Sequence, residues 1–344
     1  MLRKIALALV SALLLTACSP GAASKTGGAS GTTAPSSAPA PKELKKVSLM
    51  LDWYPNAVHS FIYAAIEQGY FKAEGIDVDI RMPADDPTEG IKLVGTGKET
   101  FAFYYQADTL LARAEGVPVV SVAAVVRHPL NGIMVRTAGG IKSPRDLEGK
   151  RIGYAGTPEG EAMIKTMVKT AGGDPAKVKI TNVGFDLIPA LATKKVDALN
   201  GAYINHEQLL LEKQGIPITY FNPAKFGVPD YYELVLITGE QTVKNDPEMV
   251  KAFWGALSKG QAWVEQNSGA ALKRLLSKQD KNFPLDQDVE TRSLQILLPL
   301  MTEKGVPFGL QTAENWQATA DWLVSAGMLK PGVKVADAFV NVVQ

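Results

Sequence analysis

From residue 44 onward, short apolar runs alternate with longer stretches in which apolar residues recur every third or fourth position. That order admits few folds, because strands separated by helices pair in parallel and a parallel sheet needs helices on both faces. The pattern predicts strands at 47–51, 76–82, 101–103, 117–126, 151–154, 178–183 and 197–201. Helices fall between them at 58–68, 88–95, 107–115, 159–171 and 186–195. Residues 141–147 supply a further helix start. Ser143 suits the N-cap, Pro144 lacks only an N–H that the first turn does not use, and Asp146 complements the dipole. The C-terminal part reads as helical over about 241–279, 286–304 and 311–326. Two more apolar strands, 131–136 and 234–238, interrupt the alternation and can carry the chain between two lobes. A length of 344 residues supports about two cores. The expected fold class is α/β, with two lobes that are each a mostly parallel sheet flanked by helices. Lobe one is expected at 44–133 plus 239–344, and lobe two at 134–238. No fixed-period repeat is present.

The first seventeen residues read as a leader. Arg3 and Lys4 precede an apolar stretch over 5–15. Its eleven residues would make roughly 16 Å of helix, about half a bilayer core, which suits a signal segment and not a spanning helix. Leu15-Thr16-Ala17-Cys18 then resembles the bacterial lipobox, in which the cysteine is lipidated and becomes the new N-terminus. Cys18 is the only cysteine, and it falls where that motif needs one. Residues 19–41 contain only Ala, Gly, Ser, Thr and Pro apart from Lys25, so residues 18–43 are expected to form an acylated, disordered tether.

Charge and composition exclude several classes. Lys plus Arg total 36 against 35 for Asp plus Glu, with no concentrated basic face to suggest nucleic acid. A single cysteine allows no intramolecular disulfide, cysteine-ligated zinc or CxxC pair, and His59, His128 and His206 are too dispersed for a metal motif. No cofactor is expected. Phosphate-loop, nucleophile-elbow, H-E-x-x-H and dinucleotide-binding motifs are all missing.

Three strand ends carry the chemistry. Ligands in open α/β sheets sit beyond the carboxyl ends of the strands. Residues 51–59 place Asp52, Trp53, Tyr54, Asn56 and His59 at such an end; residues 104–108 place Tyr105 and Gln106; residues 202–207 place Tyr203, Asn205 and Glu207. Aromatic faces stack on flat ligands, while carboxylates and carboxamides pair with ring amino groups and nitrogens. Read alone, the first loop is equally well explained by Trp53 and Tyr54 plugging a core and Asp52 or Asn56 capping a helix. Tyr231 in Tyr-Tyr-Glu is a weaker candidate, with a core or hinge role as its alternative. The loop 153–161 enters a helix N-terminus, a natural anion site. Glu159 and Glu161 occupy that first turn and tip it toward a neutral or cationic ligand.

The leader, lipobox and polar tether, followed by L-D-W-Y-P-N-A-V-H, G-Y-F-x-x-E-G-I, Tyr105-Gln106 and S-P-x-D-L-x-G-K, resemble one family. It is the extracytoplasmic solute-binding proteins of ABC importers that share a fold with thiamine-pyrimidine synthase and also resemble nitrate and sulfonate binders. The resemblance covers 44–344 and implies the type II periplasmic binding-protein fold. The L-D-W-x-P-N-x-x-H loop looks like that of importers of the thiamine precursor formylaminopyrimidine. It implies an aromatic wall and polar contacts from Asp52, Trp53, Asn56 and His59, with Tyr105 and Gln106 lining the same lobe. Tyr203, Asn205 and Glu207 would face them, Glu207 accepting from the aminopyrimidine. Ile204 stands where similar members carry an aromatic, which leaves riboflavin or a nitrate-, sulfonate- or taurine-type solute as alternatives. The synthase of the same fold uses a cysteine-rich segment, and this chain has no cysteine beyond Cys18. The resemblance further implies a monomer that is not an enzyme, with a permease and an ATPase as partners and the lipid as its sole hold on the membrane. Cys18→Ala should therefore move the protein from the membrane fraction to the soluble fraction in cell fractionation while leaving ligand affinity unchanged.

Overall fold

The computed structural model describes residues 43–84 and 86–343. Cys18, the leader and nearly all of the tether lie outside the described residues. Ten strands, β1 Lys45–Met50, β2 Ile76–Arg81, β3 Phe101–Tyr104, β4 Val119–Val126, β5 Asn131–Arg136, β6 Arg151–Tyr154, β7 Lys179–Asn182, β8 Ala198–Tyr203, β9 Ile218–Phe221 and β10 Leu234–Gly239, form two sheets. The first has the order β2-β1-β3-β10-β4 and the second β7-β6-β8-β5-β9. The helices are α1 Ser60–Glu67, α2 Tyr70–Ala73, α3 Glu89–Gly95, α4 Gln106–Ala114, α5 Pro158–Thr170, α6 Leu187–Ala192, α7 Glu207–Lys213, α8 Glu240–Asn245, α9 Pro247–Gln266, α10 Ser268–Leu276, α11 Gln287–Met301 and α12 Ala313–Ser325. The α/β, two-lobed architecture read from the alternation is present.

In each sheet one strand runs against the rest. β1 pairs in parallel with β2 and β3, whereas β10 is antiparallel to both β3 and β4. Likewise β6 is parallel to β7 and β8, and β5 is antiparallel to β8 and β9. The chain passes between the sheets twice, after β4 and after β9. Residues 234–238, expected with the second lobe, belong to the first sheet, because β10 takes its hydrogen bonds from β3 and β4. All eight residues of β4 are buried, which explains its unbroken apolar run. Although β4 is the edge strand, Ser121 bridges to Phe339 and Ala124 to Gly309, so later segments cover the edge.

Local chemistry sets the helix limits. Residues 241–279, expected as one helical stretch, break into three helices. Asp246 caps α9 from its side chain with Pro247 in the first turn, and Asn267 ends it. Ser143 caps as expected, and Asp146, expected only to complement the dipole, returns a reciprocal cap, around a single 3-10 turn, Pro144–Leu147. The helix α2 and the strand β9 carried too few periodic residues to be read from sequence. Among the described residues, no helix is long and apolar enough to cross a membrane.

The first site loop rests on α1, which crosses α9 closely at Gly260. A Cβ there would come within 2.3 Å of the Phe61 carbonyl and 2.9 Å of the Ala65 Cβ. Gly260→Ala should thus lower stability by about 1–3 kcal/mol through overpacking, outweighing the gain in helix propensity of at most about 1 kcal/mol. Thermal unfolding of the purified variant measures the difference.

Candidate functional site

Parallel strands bring their carboxyl ends to a common edge, and the loops that leave those ends meet between the two sheets. The cavity there is lined from the first lobe by Asp52, Trp53, Asn56, Val58 and Tyr105, and from the second by Ala155, Thr157, Glu159, Gly201, Tyr203, Asn205, His206 and Glu207, with Asn131 at the crossing. Seven of the ten residues singled out from the sequence are therefore brought together: Asp52, Trp53, Asn56, Tyr105, Tyr203, Asn205 and Glu207.

His59, Gln106 and Tyr231 do not line the cavity. His59 is fully buried behind it, its Nδ1 accepting from the Asn56 N–H at 3.2 Å. That leaves the proton on Nε2, which donates to Asp52 Oδ1 at 2.9 Å and fixes the carboxylate in place. Gln106 ties α4 to later elements: Oε1 accepts from the Tyr232 N–H at 2.8 Å and Nε2 donates to Asn315 Oδ1 at 2.8 Å. Tyr231 is buried against Trp322, with ring centroids 6.1 Å apart, and donates to Glu233 Oε2 at 3.2 Å. Asn56 caps the turn as its alternative role required, Oδ1 accepting from the Val58 N–H at 3.1 Å, and the residue also lines the cavity. Trp53, though it leaves the first sheet, packs edge-on to Phe185 and joins the second lobe's apolar cluster around Met134, Leu191 and Leu199. The cleft is closed over it.

Sequence reasoning missed Asn131, Thr157 and His206 as lining residues. Glu159 was read as a first-turn acid that tips the loop toward a neutral or cationic ligand but was not counted among the binding residues, although it follows β6 in the same strand-to-helix position as the other loops of the site. Its Oε1 is buried without a partner, as are Glu233 Oε1, Asp108 Oδ2 and Asn205 Oδ1. Asp108, on α4, accepts the Glu159 N–H through Oδ1 at 2.7 Å and so joins the lobes. Glu233 Oε2 accepts from the N–H groups of Leu130 and Asn131 at 2.6 and 2.9 Å. Burial pushes all three carboxyls up; repulsion from Glu233 adds to it at Asp108, and repulsion from Glu233 and Asp108 adds to it at Glu159, and Asp108 reaches about 7. Glu207 behaves oppositely. Burial would raise it, but the charge and hydrogen bond of His206 and the Tyr203 N–H hold it below its usual range. Burial likewise pushes the Tyr105 and Tyr203 hydroxyls up. Among the described residues no lysine or arginine lines the cavity, and no histidine–carboxylate grouping suits a metal. The site offers aromatic faces, unsatisfied acceptors on Glu159 and Asn205 and one unsatisfied donor, Trp53 Nε1, which a flat molecule carrying N–H groups and a ring acceptor would complement.

A carboxyl raised on folding binds its proton more tightly in the folded state, so its penalty grows with pH from about 3.8 and is complete above about 7. The ligand-free protein should accordingly be more stable near pH 5 than near pH 8, by about 2.5–3 kcal/mol for a shift of that size, because part of the penalty is already incurred by pH 5. Asp108→Asn, which keeps the acceptor for the Glu159 N–H, should flatten that slope in thermal melts across pH.

Comparison with known proteins places these features. The family model described as NMT1/THI5 like matches residues 56–271. A formylaminopyrimidine-binding protein of Halalkalibacterium halodurans is 48% identical over 300 residues, covering 87% of this chain and 91% of that protein. A 4-amino-5-hydroxymethyl-2-methylpyrimidine phosphate synthase of Legionella pneumophila is 30% identical, covering 72% of this chain and 79% of that one. Among solved structures, the alkanesulfonate-binding protein SsuA of Xanthomonas axonopodis, bound to MOPS, superposes with a TM-score of 0.67 at 15% identity, covering 86% of this chain and 98% of that one. The fold is that of the periplasmic binding proteins.

Proposed function

The chain belongs to the NMT1/THI5-like family, and from that premise we propose that it is the substrate-binding component of an ABC importer whose ligand is a flat, amino-bearing pyrimidine such as formylaminopyrimidine. One observation carries the ligand class. The cavity between the lobes presents aromatic rings, unpartnered carboxylate and carboxamide oxygens and no lysine or arginine. A sulfonate, nitrate or phosphate ester would meet Asp52, Glu159 and Glu207 there, and its charge would be desolvated beside theirs. An exocyclic amino group instead supplies the donors that Glu159 and Asn205 lack.

Trp53, Tyr105 and Tyr203 would bound the faces of the ring, while Glu207 and Asn56 hold its edge. Binding without turnover is supported by the higher identity to a binding protein than to the synthases of the family. The protein acts outside the cytoplasmic membrane, as a monomer acylated at Cys18 and tethered by residues 19–43, and hands its ligand to a permease driven by an ATPase. The hinge segments of this reading are 127–130 and 222–233, which join the two sheets. His128 and Asp230, one from each, lie 2.9 Å apart.

Calorimetry with formylaminopyrimidine, thiamine, riboflavin, taurine and nitrate tests the assignment. Binding of the pyrimidine is expected, with Glu207→Gln weakening it by about 1.5–3 kcal/mol, roughly 10- to 150-fold, through loss of a charge-assisted hydrogen bond. Trp53→Leu should weaken every aromatic ligand together. Heat with taurine or nitrate alone would overturn the charge argument.

A further inference from the structure

His206 sits between two carboxylates that belong to opposite lobes. Its Nδ1 lies 2.9 Å from Glu207 Oε1, at the start of α7, and its Nε2 lies 3.5 Å from Glu290 Oε1, on α11. All three side chains are at most 7% exposed. Glu290 Oε2 in turn accepts the Ala57 N–H at 2.7 Å, and α11 packs against the Ala57–His59 turn of the first lobe. A continuous chain therefore runs from the cavity through Glu207, His206 and Glu290 to the backbone of the first binding loop.

The geometry decides the protonation state. A neutral imidazole has one donor and one acceptor nitrogen, so one of the two carboxylates would face a lone pair. Only the imidazolium donates to both. The other element packed on the ring contributes Tyr54, whose ring centroid is 6.0 Å away edge-on and whose hydroxyl burial pushes up, so it brings no competing charge. Although burial alone would lower His206, Glu207 and Glu290 carry it up to about 10.

We propose that His206 is a positioning residue, a protonated bridge that aims Glu207 at the ligand and latches the closed cleft to Glu290. The proposal rests on the reading of the cavity as a ligand site. When the lobes part, His206 leaves Glu290 and keeps Glu207 alone, so the closed form holds the proton more tightly than the open form. The latch is fully present below the open-form value and is lost as pH rises through about 10.

Glu290→Gln tests it conservatively, because the amide oxygen still accepts from the Ala57 N–H. With formylaminopyrimidine as probe, the release rate should rise about tenfold at neutral pH with little change in the association rate, and His206→Gln should do the same. Affinity of the unsubstituted protein should weaken only as pH nears 10, and in Glu290→Gln that weakening should begin at least about one unit lower. Comparing the two proteins cancels the titration of the ligand itself. Equal release rates and superimposable pH profiles would overturn the latch. Should the unsubstituted protein give no heat with the probe, the ligand assignment fails, and the imidazole titration of the protein alone, read by nitrogen NMR, decides the bridge. A value well above the ordinary 6.5 that falls in Glu290→Gln supports it, and an ordinary value in both overturns it.

Discussion

Asp108, Glu159 and Glu233 come from three separate elements and lie buried close enough for repulsion among them, and of the three Glu159 lines the cavity. Burying one unpaired charge is costly, and burying three that repel one another costs more than any hydrogen bond in the cleft returns. Two of them, Asp108 on α4 and Glu159 on α5, come from opposite lobes and touch through the Glu159 N–H. The closed cleft is thus electrostatically incomplete on its own. Protons can relieve it, which is what the raised carboxyls express, and a ligand that brings an N–H donor can answer Glu159, the one of the three that lines the cavity. Such a ligand binds the closed form far more strongly than the open one, and that difference is what shifts a two-state equilibrium.

What the sequence made legible is the scaffold and the places where binding groups leave it. Alternating strands and helices oblige the sheets to be largely parallel, and parallel sheets put their carboxyl ends on one edge. Reading an aromatic with a carboxylate or amide at the ends of β1, β3 and β8 therefore located Asp52, Trp53, Tyr105, Tyr203 and Glu207 without any knowledge of tertiary contacts. The same rule applied to β6 points to Glu159, but a glutamate in a first helical turn has a sufficient local explanation in the helix dipole, and that explanation masked it.

Residues whose role depends on distant partners were not legible. Gln106 sits in the motif as a ligand contact would, yet it is spent on Asn315, which is 209 residues away in sequence. Tyr231 stands beside a crossing strand and is taken by Trp322 and Glu233. Glu290 lies in the first turn of α11, where the helix dipole already accounts for an acid, and its importance arises only from contact with Ala57, which is 233 residues earlier. Periodicity reports which face of a helix is buried, never what it is buried against.

The contacts that join the lobes divide by exposure, and the division assigns the energy of closure. Lys213 with Asp286 and Arg292 with Glu212 lie at the rim, largely in solvent, where such pairs contribute between nothing and about 1 kcal/mol. Asn205 with Ser293 and Trp322 with Thr166 are neutral hydrogen bonds at 3.0 and 2.9 Å, each worth about 1 kcal/mol net. Against these stands the repulsion of the buried carboxyls, which the same closure creates. The rim and the neutral bonds set the geometry in which the lobes meet but are too weak to hold them there when the cavity lacks a donor. Beyond these, the closed state draws on the buried contacts of His206 with Glu290 and of Trp53 with the second lobe's apolar cluster, and on what fills the cavity.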